Sequence, residues 1–395
     1  MSFAVPSEPV PPSGTLSQQA EEALVLSILD IDIFRPLPIE RRLAYYPYAQ
    51  PHERARVICE LMERLWDNEL ENKLFPAYQT FDGFLSTLGR RGHFVHQFEV
   101  YLLGMHIINN LLKLSNDFVG WRQKPEQIYD TWLLAATAHD FGYPIEVASD
   151  FLDHLAKLHK ELGFNYLSTK YLDLKEYNPL QKEENLLWVE VNVDGHNKER
   201  MHLCDFVYTA IGESLGVEPG YAAEIGKLLS LADNHGYVSA MILARTVLTR
   251  DVSLEDMRKS GTFDCMMQAI GAIALHNLPR DLVEKIQFDL NPFSYLLFLV
   301  DNIQDWARSP EFPNEWPIYH LSTFKGEANT TTFKYVLSHE KWTPEMKERV
   351  EQSLQQKHEL IETAKSPSEQ FGYKLLIKFE SNDGTELCPQ IEKRI

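Results

Sequence analysis

Histidine and aspartate stand side by side at positions 139 and 140, at the end of the apolar, alanine-rich run LLAATAHDFGYP (133–144). An adjacent imidazole and carboxylate can reach one divalent ion, and the second carboxylate oxygen can reach another. A helix that ends in such a pair is an economical start to a two-metal site, provided the rest of the chain supplies the other ligands. Four further positions offer matching ligands. His96 lies in RRGHFVHQFEVYLLG, His235 in LADNHGYVSAMIL near the start of an apolar helix, and His276 closes MMQAIGAIALHNLP. Asp301 interrupts the apolar stretch SYLLFLVDNIQDWAR. Ionisable groups in such surroundings cost free energy unless they are hydrogen-bonded, ion-paired or metal-bound. The plain alternatives are a hydrogen-bonded core imidazole for His96 and helix-end hydrogen bonding for His235 and His276.

His93 sits three residues before His96, on the same helix face. It is placed to donate a proton to a leaving group or to bind phosphate, and a supporting or surface role is its alternative. Arg90 and Arg91 open the same helix, where they can bind an anion or simply be solvated. Arg308 follows Asp301 by two turns and reads as an ion-pair partner of Asp305. The remaining histidines, His106, His154 and His196 among them, are given no role.

These residues need a helical frame. Apolar spacing of three and four predicts helices from about Leu16 to Leu112, including QQAEEALVLSILDI and RARVICELMERLWDNEL. The run 93–114 is apolar nearly all round, which predicts a buried central helix. A second buried helix spans about 128–140, with Gly142 and Pro144 as its stop signals. Further helices are expected over 233–249, 262–277 and 293–308, the last with an Asn291-Pro292 start. Within 145–228, LLWVEVNV suggests a short strand or hairpin. After PNEWP (313–317) the pattern changes. Two strands are expected over 318–338, a helix over 343–365 capped by Thr343, and a hairpin over 373–391 turning at Asn-Asp-Gly. The expected fold is mainly α: a disordered tail at 1–14, a helical domain at 15–310 with a cap or insert at 145–228, and a small C-terminal α+β appendage at 311–395.

Composition narrows the functions. The 395 residues carry 57 acidic against 38 basic side chains, net −19, which opposes a broad nucleic-acid surface. A small anionic substrate is compatible with this charge if metal ions supply local positive charge. Cys59, Cys204, Cys265 and Cys388 show no metal or disulfide spacing and suit a reducing cytoplasm. Neither a signal peptide nor a membrane span is expected. Homo-oligomerisation is left open.

The order His … His-Asp … His … His … Asp on successive apolar helices resembles the HD-domain superfamily of metal-dependent phosphohydrolases. The resemblance covers roughly residues 90–308 and excludes the appendage. It implies an HD-domain helical bundle in which His96, His139, Asp140 and Asp301 hold one divalent ion. Asp140 bridges to a second ion held by His235 and His276, a binuclear arrangement. The two ions would be Mn, Fe, Zn, Co or Ni, between which ligand type does not choose. The implied reaction is hydrolysis of a phosphomonoester or phosphodiester, a nucleotide among the candidates, by a metal-bridging hydroxide. Asp140 is then catalytic as well as a ligand. By likeness to the fold-related cyclic-nucleotide phosphodiesterases, His93 would protonate the leaving group. Many members follow the pair with Gly and then Lys or His; here HDFGY puts Tyr143 in that place, so phosphate must be handled differently. The adjacent letters GYP (142–144) fall too close to the pair to match the HD-GYP family. A di-iron oxygenase resembling myo-inositol oxygenase, acting on a small polyol or phosphonate, shares the ligand order and is the main alternative. A metal-binding sensor module is the third.

Overall fold

The computed structural model describes residues 16–29, 43–49, 53–54, 56–58, 61, 93–114, 123–143, 146, 187–231, 234–249, 252–306, 317–327, 329–339, 341–367 and 371–395. The tail 1–14, most of the helix expected over 54–70, residues 147–186 of the insert, and Arg90, Arg91 and Arg308 lie outside these residues. The chain is mainly helical, with a small sheet at the C-terminal end.

Helix α1 spans Leu16–Ile28. The all-round apolar run forms α2, His93–Leu114, whose middle from Phe98 to Ile108 is almost wholly buried, as expected for a central helix. Helix α3, Pro125–Ala138, starts on a proline whose missing N–H is not needed in the first turn. A hairpin of β1 (Trp188–Asn192) and β2 (Lys198–His202) follows, where a strand or hairpin was expected. Then come α4 (Leu203–Leu215), α5 (Pro219–Leu231), α6 (His235–Leu248), α7 (Leu254–Ser260), α8 (Thr262–Leu275) and α9 (Pro292–Ile303). Asn291 caps α9, its Oδ1 accepting from the backbone N–H of Phe293 and Ser294 at 3.0 and 3.2 Å.

Helix α8 sits at the centre, packed against α3, α4, α6 and α9. Its small residues permit this. A methyl at Gly271 would stand 2.0 Å from Ser214 Oγ and 2.8 Å from the Ala210 carbonyl of α4. Helix α4, although within the expected insert, is therefore part of the bundle core.

The C-terminal sheet has the order β3 (Ile318–Glu327), β4 (Thr330–Ser338), β5 (Lys374–Ser381), β6 (Ile391–Arg394). Its two central strands are parallel, joined through α10 (Pro344–Thr363), which Thr343 caps as expected. Strands β4 and β5 alternate half-buried and buried residues, so one face enters the core. That core is continuous with the helical one, and β3 packs against α1. Tyr335 of β4 donates its hydroxyl to the Ile303 carbonyl, and Lys357 of α10 pairs with Asp305, so the sheet and α10 brace the end of α9. The hairpin expected over 373–391 is only partly formed. The Asn-Asp-Gly turn is present, with Gly384 at φ 85°. Pairing lapses near Pro389, which has no N–H to donate, and β6 begins at Ile391.

His106, given no role from sequence, is a buried tie between helix and sheet. Its Nδ1 donates to Ser27 Oγ of α1 (2.7 Å), and Nε2 lies 2.8 Å from Thr331 Oγ1 of β4. Ser27 spends its own proton on the Leu24 carbonyl, which fixes it as acceptor. Burial, aided by Lys113, lowers the His106 pKa to about 3. The folded value thus lies below the unfolded one, near 6.5. The neutral ring's stabilisation is complete above the unfolded value and is lost as pH falls from about 6.5 toward 3. Wild-type stability should decline in that window by up to roughly 1.4 kcal/mol per pH unit more than that of His106→Gln. Urea midpoints of the two proteins at pH 7 and pH 4 check this, and a constant difference contradicts it.

Candidate metal centre

Five helix ends meet at one place. His96 lies in the first turn of α2 and His235 is the first residue of α6. His139 and His276 directly follow the last residues of α3 and α8, both still with helical backbone angles. Asp301 lies in the last turn of α9. Three of these ends are C-termini, whose unsatisfied carbonyls favour a cation nearby.

The rings are held by their Nδ1 atoms. His139 Nδ1 donates to the Ala136 carbonyl and His276 Nδ1 to the Ile273 carbonyl, each at 2.7 Å. His235 Nδ1 donates to Glu146 Oε2 at 2.6 Å, and His96 Nδ1 donates to the side-chain oxygen of Gln304. Carbonyls accept only, so Nδ1 carries the proton and Nε2 is left as a lone pair in the neutral rings. A metal-ligating imidazole requires this arrangement.

The four Nε2 atoms converge on two carboxylates. Oδ2 of Asp140 lies 3.5 Å from His139 Nε2 and 3.9 Å from His96 Nε2. Oδ1 of the same residue lies 3.3 Å from His235 Nε2 and 3.8 Å from His276 Nε2. Asp301 Oδ1 closes the first set at 2.8 Å from His96 and 3.7 Å from His139. The structure therefore brings all six proposed ligands together and divides them around Asp140. His96, His139 and Asp301 form one group that could hold an ion, and His139, Asp140 and His276 another.

Two observations fit a cation here. His139 Nε2 is fully buried and has no hydrogen-bond partner. His235 Nε2 and His276 Nε2 face each other at 3.1 Å, where two lone pairs repel unless a proton or metal lies between them. Ligands about 2.0–2.2 Å from one ion stand roughly 3.0–3.5 Å apart, close to the spacings found. Nitrogen and carboxylate donors suit Mn, Fe, Co, Ni or Zn.

The electrostatics follow from burial and from Glu146. Burial lowers the His139 pKa to about 4, outweighing the opposing pull of Asp140. Burial also disfavours the charged form of His235, but its bond to Glu146 and the charge of Asp140 prevail and raise its pKa. In turn, desolvation of Glu146 is overcome by its bonds to His235, and its carboxyl is held below the usual range.

Glu146 was missed in the sequence. Its Oε2 also accepts from the backbone N–H of His235 at 3.0 Å, anchoring both the ring and the start of α6. The only local sign is its position four residues after Gly142, whose carbonyl accepts from the Glu146 N–H. Glu146→Ala should weaken metal binding at the His235 and His276 set about 10- to 100-fold and leave the other set intact. Competitive titration with a chromophoric chelator checks this, and equal loss at both sets contradicts it.

His93 begins α2, but its side chain is not among the described ones. Tyr143 stands beside His235, ring edge to face at 5.6 Å between centroids. No family model matches the chain, and neither a curated protein nor a solved structure does.

Proposed function

We propose that this chain is an HD-type, metal-dependent phosphohydrolase with a binuclear centre. The observation that supports it best is the division of Asp140, one oxygen toward His96 and His139 and the other toward His235 and His276. His96, His139, Asp140 and Asp301 would hold one ion, and Asp140, His235 and His276 the other. When bound, such ions lower the pKa of coordinated water and draw negative charge from a phosphoryl group.

The chain's own residues do the rest. Acceptors on every Nδ1 keep the four rings turned inward with Nε2 available. Asp140 ties the two sets at a fixed separation. His93, at the mouth of α2, is the proposed proton donor to the leaving group. Tyr143 offers an aromatic ring and a hydroxyl where related enzymes carry a cation, so phosphate binding would depend more heavily on the metals. The net charge of −19 favours a small phosphorylated substrate over nucleic acid. No described helix is long and apolar enough to cross a membrane, and three described cysteines are free, which supports a reducing compartment such as the cytoplasm.

The same Tyr143 favours a second reading, a di-iron oxygenase, because an oxygenase needs no phosphate-binding cation. A panel of phosphomonoesters, phosphodiesters and nucleotides, with each candidate metal added, tests the first reading. Metal-dependent phosphate release abolished by chelator is the expected result. No release from any ester, with oxygen uptake by a two-iron form, would establish the alternative.

A further inference from the structure

Behind His96 lies a buried polar chain with no part in ligation. Gln304, just past the end of α9, is wholly buried, and Glu99, one turn after His96 on α2, is 1% exposed. Both require a reason for being there. Gln304 Nε2 donates to Glu99 Oε2 and to the Trp306 carbonyl, each at 2.7 Å. Both partners only accept, so the amide cannot turn over, and its oxygen must face His96. An oxygen there requires a proton on His96 Nδ1, and this leaves Nε2 as the nitrogen turned toward Asp301 and Asp140.

The carboxylate that orients the amide is itself held. Its Oε1 accepts from the Tyr46 hydroxyl at 2.8 Å and from Arg54 Nη1 at 3.2 Å. The other Arg54 nitrogen, Nη2, pairs with Glu21 of α1 at 2.6 Å. The charge on Glu99 is thereby matched by a guanidinium despite its burial.

We infer that Glu99 and Gln304 are positioning residues that impose the Nδ1–H tautomer on His96, with Arg54 and Tyr46 securing the Glu99 carboxylate. The tautomer claim stands on geometry alone; its consequence for metal binding rests on the phosphohydrolase reading above. The chain runs Arg54, Glu99, Gln304, His96, and so makes Arg54 and Tyr46 part of the site's construction, although they supply no ligand.

The inference predicts a graded loss. In Gln304→Leu, His96 Nδ1 loses its acceptor outright. In Glu99→Gln, the Trp306 carbonyl alone still holds the 304 amide nitrogen, so the hold on His96 is weakened rather than removed.

The test uses the full chain labelled with [15N]histidine and freed of metal, with ring nitrogen correlations recorded by NMR and the His96 signals assigned from His96→Gln. Wild type should show a proton on His96 Nδ1, whether or not Nε2 also carries one toward Asp301 while no metal is bound. Gln304→Leu should lose that Nδ1–H signature, and Glu99→Gln should keep it in only part of the population. Co(II) titration should show affinity at the His96 set falling about 10- to 100-fold in Gln304→Leu and less in Glu99→Gln. Glu99→Gln serves if Gln304→Leu does not fold. An unchanged Nδ1–H signature in either variant overturns the inference. Because the tautomer is read without metal, a wild-type chain that binds no Co(II) would instead remove the phosphohydrolase reading.

Discussion

On the proposed function, wild type is expected to hold two metal ions per chain and Asp140→Ala at most one, with phosphate-ester hydrolysis reduced at least about 10²- to 10³-fold. The reason lies in the two oxygens. Oδ2 faces His96 and His139, and Oδ1 faces His235 and His276, all within 3.9 Å. Without the carboxylate, the His235 and His276 set keeps two imidazoles and no anionic ligand in contact. The His96 and His139 set retains Asp301. Loss should therefore be unequal, with the first set surviving in weakened form. Replacement of His276 offers the contrast, since it removes one ligand from one set only. Elemental analysis of both variants, alongside the rate with a responsive ester, distinguishes a bridge from a ligand of a single ion. Unchanged metal content in Asp140→Ala would refute the bridge.

Gly142→Ala should destabilise the protein by about 2–3 kcal/mol and selectively disable the His235 half of the site. A methyl at position 142 would stand 2.4 Å from the His235 carbonyl oxygen, 2.7 Å from Val238 Cβ and 2.9 Å from the Ser239 nitrogen. Two of these three atoms are backbone in the first turns of α6, and no side-chain rotation relieves the contact. The turn after Asp140 and the start of α6 must separate. Separation also strains the bond from the Gly142 N–H to Ser239 Oγ (2.7 Å) and carries His235 away from Asp140. Ser239→Ala removes that bond without the collision, and should cost only about 1 kcal/mol. Urea unfolding with Co(II) titration of each variant checks both effects. Full second-set affinity in Gly142→Ala would contradict the proposed role of this close approach.

The ligand candidates were legible because burying them is costly. His139 and Asp140 are joined by covalent adjacency, and Asp301 interrupts an otherwise apolar helix. His276 closes a helix of mainly small and apolar residues, and His235 lies near the start of another apolar helix. Local pattern carried that information. The groups that aim the rings left no such trace. Glu146 falls in a stretch read only as amphipathic helix, Gln304 is uncharged, and Glu99 reads as an ordinary helical acid until Arg54 is seen beside it. His106 shows the same limit, because its partners Ser27 and Thr331 are 79 and 225 residues away. The helical elements 93–114 and 233–249 could be read closely from their apolar patterns. The last hairpin could not, because Pro389 moves the pairing strand beyond the turn that the sequence advertised.

An anomalous difference map from crystals grown with Mn(II) or Co(II) tests the two-metal centre most directly. Two peaks are predicted, about 3.5–4 Å apart. One should lie among His96, His139, Asp301 and Oδ2 of Asp140, the other among His235, His276 and Oδ1 of Asp140. No peak at these residues, or a single peak out of reach of Asp140, would contradict it.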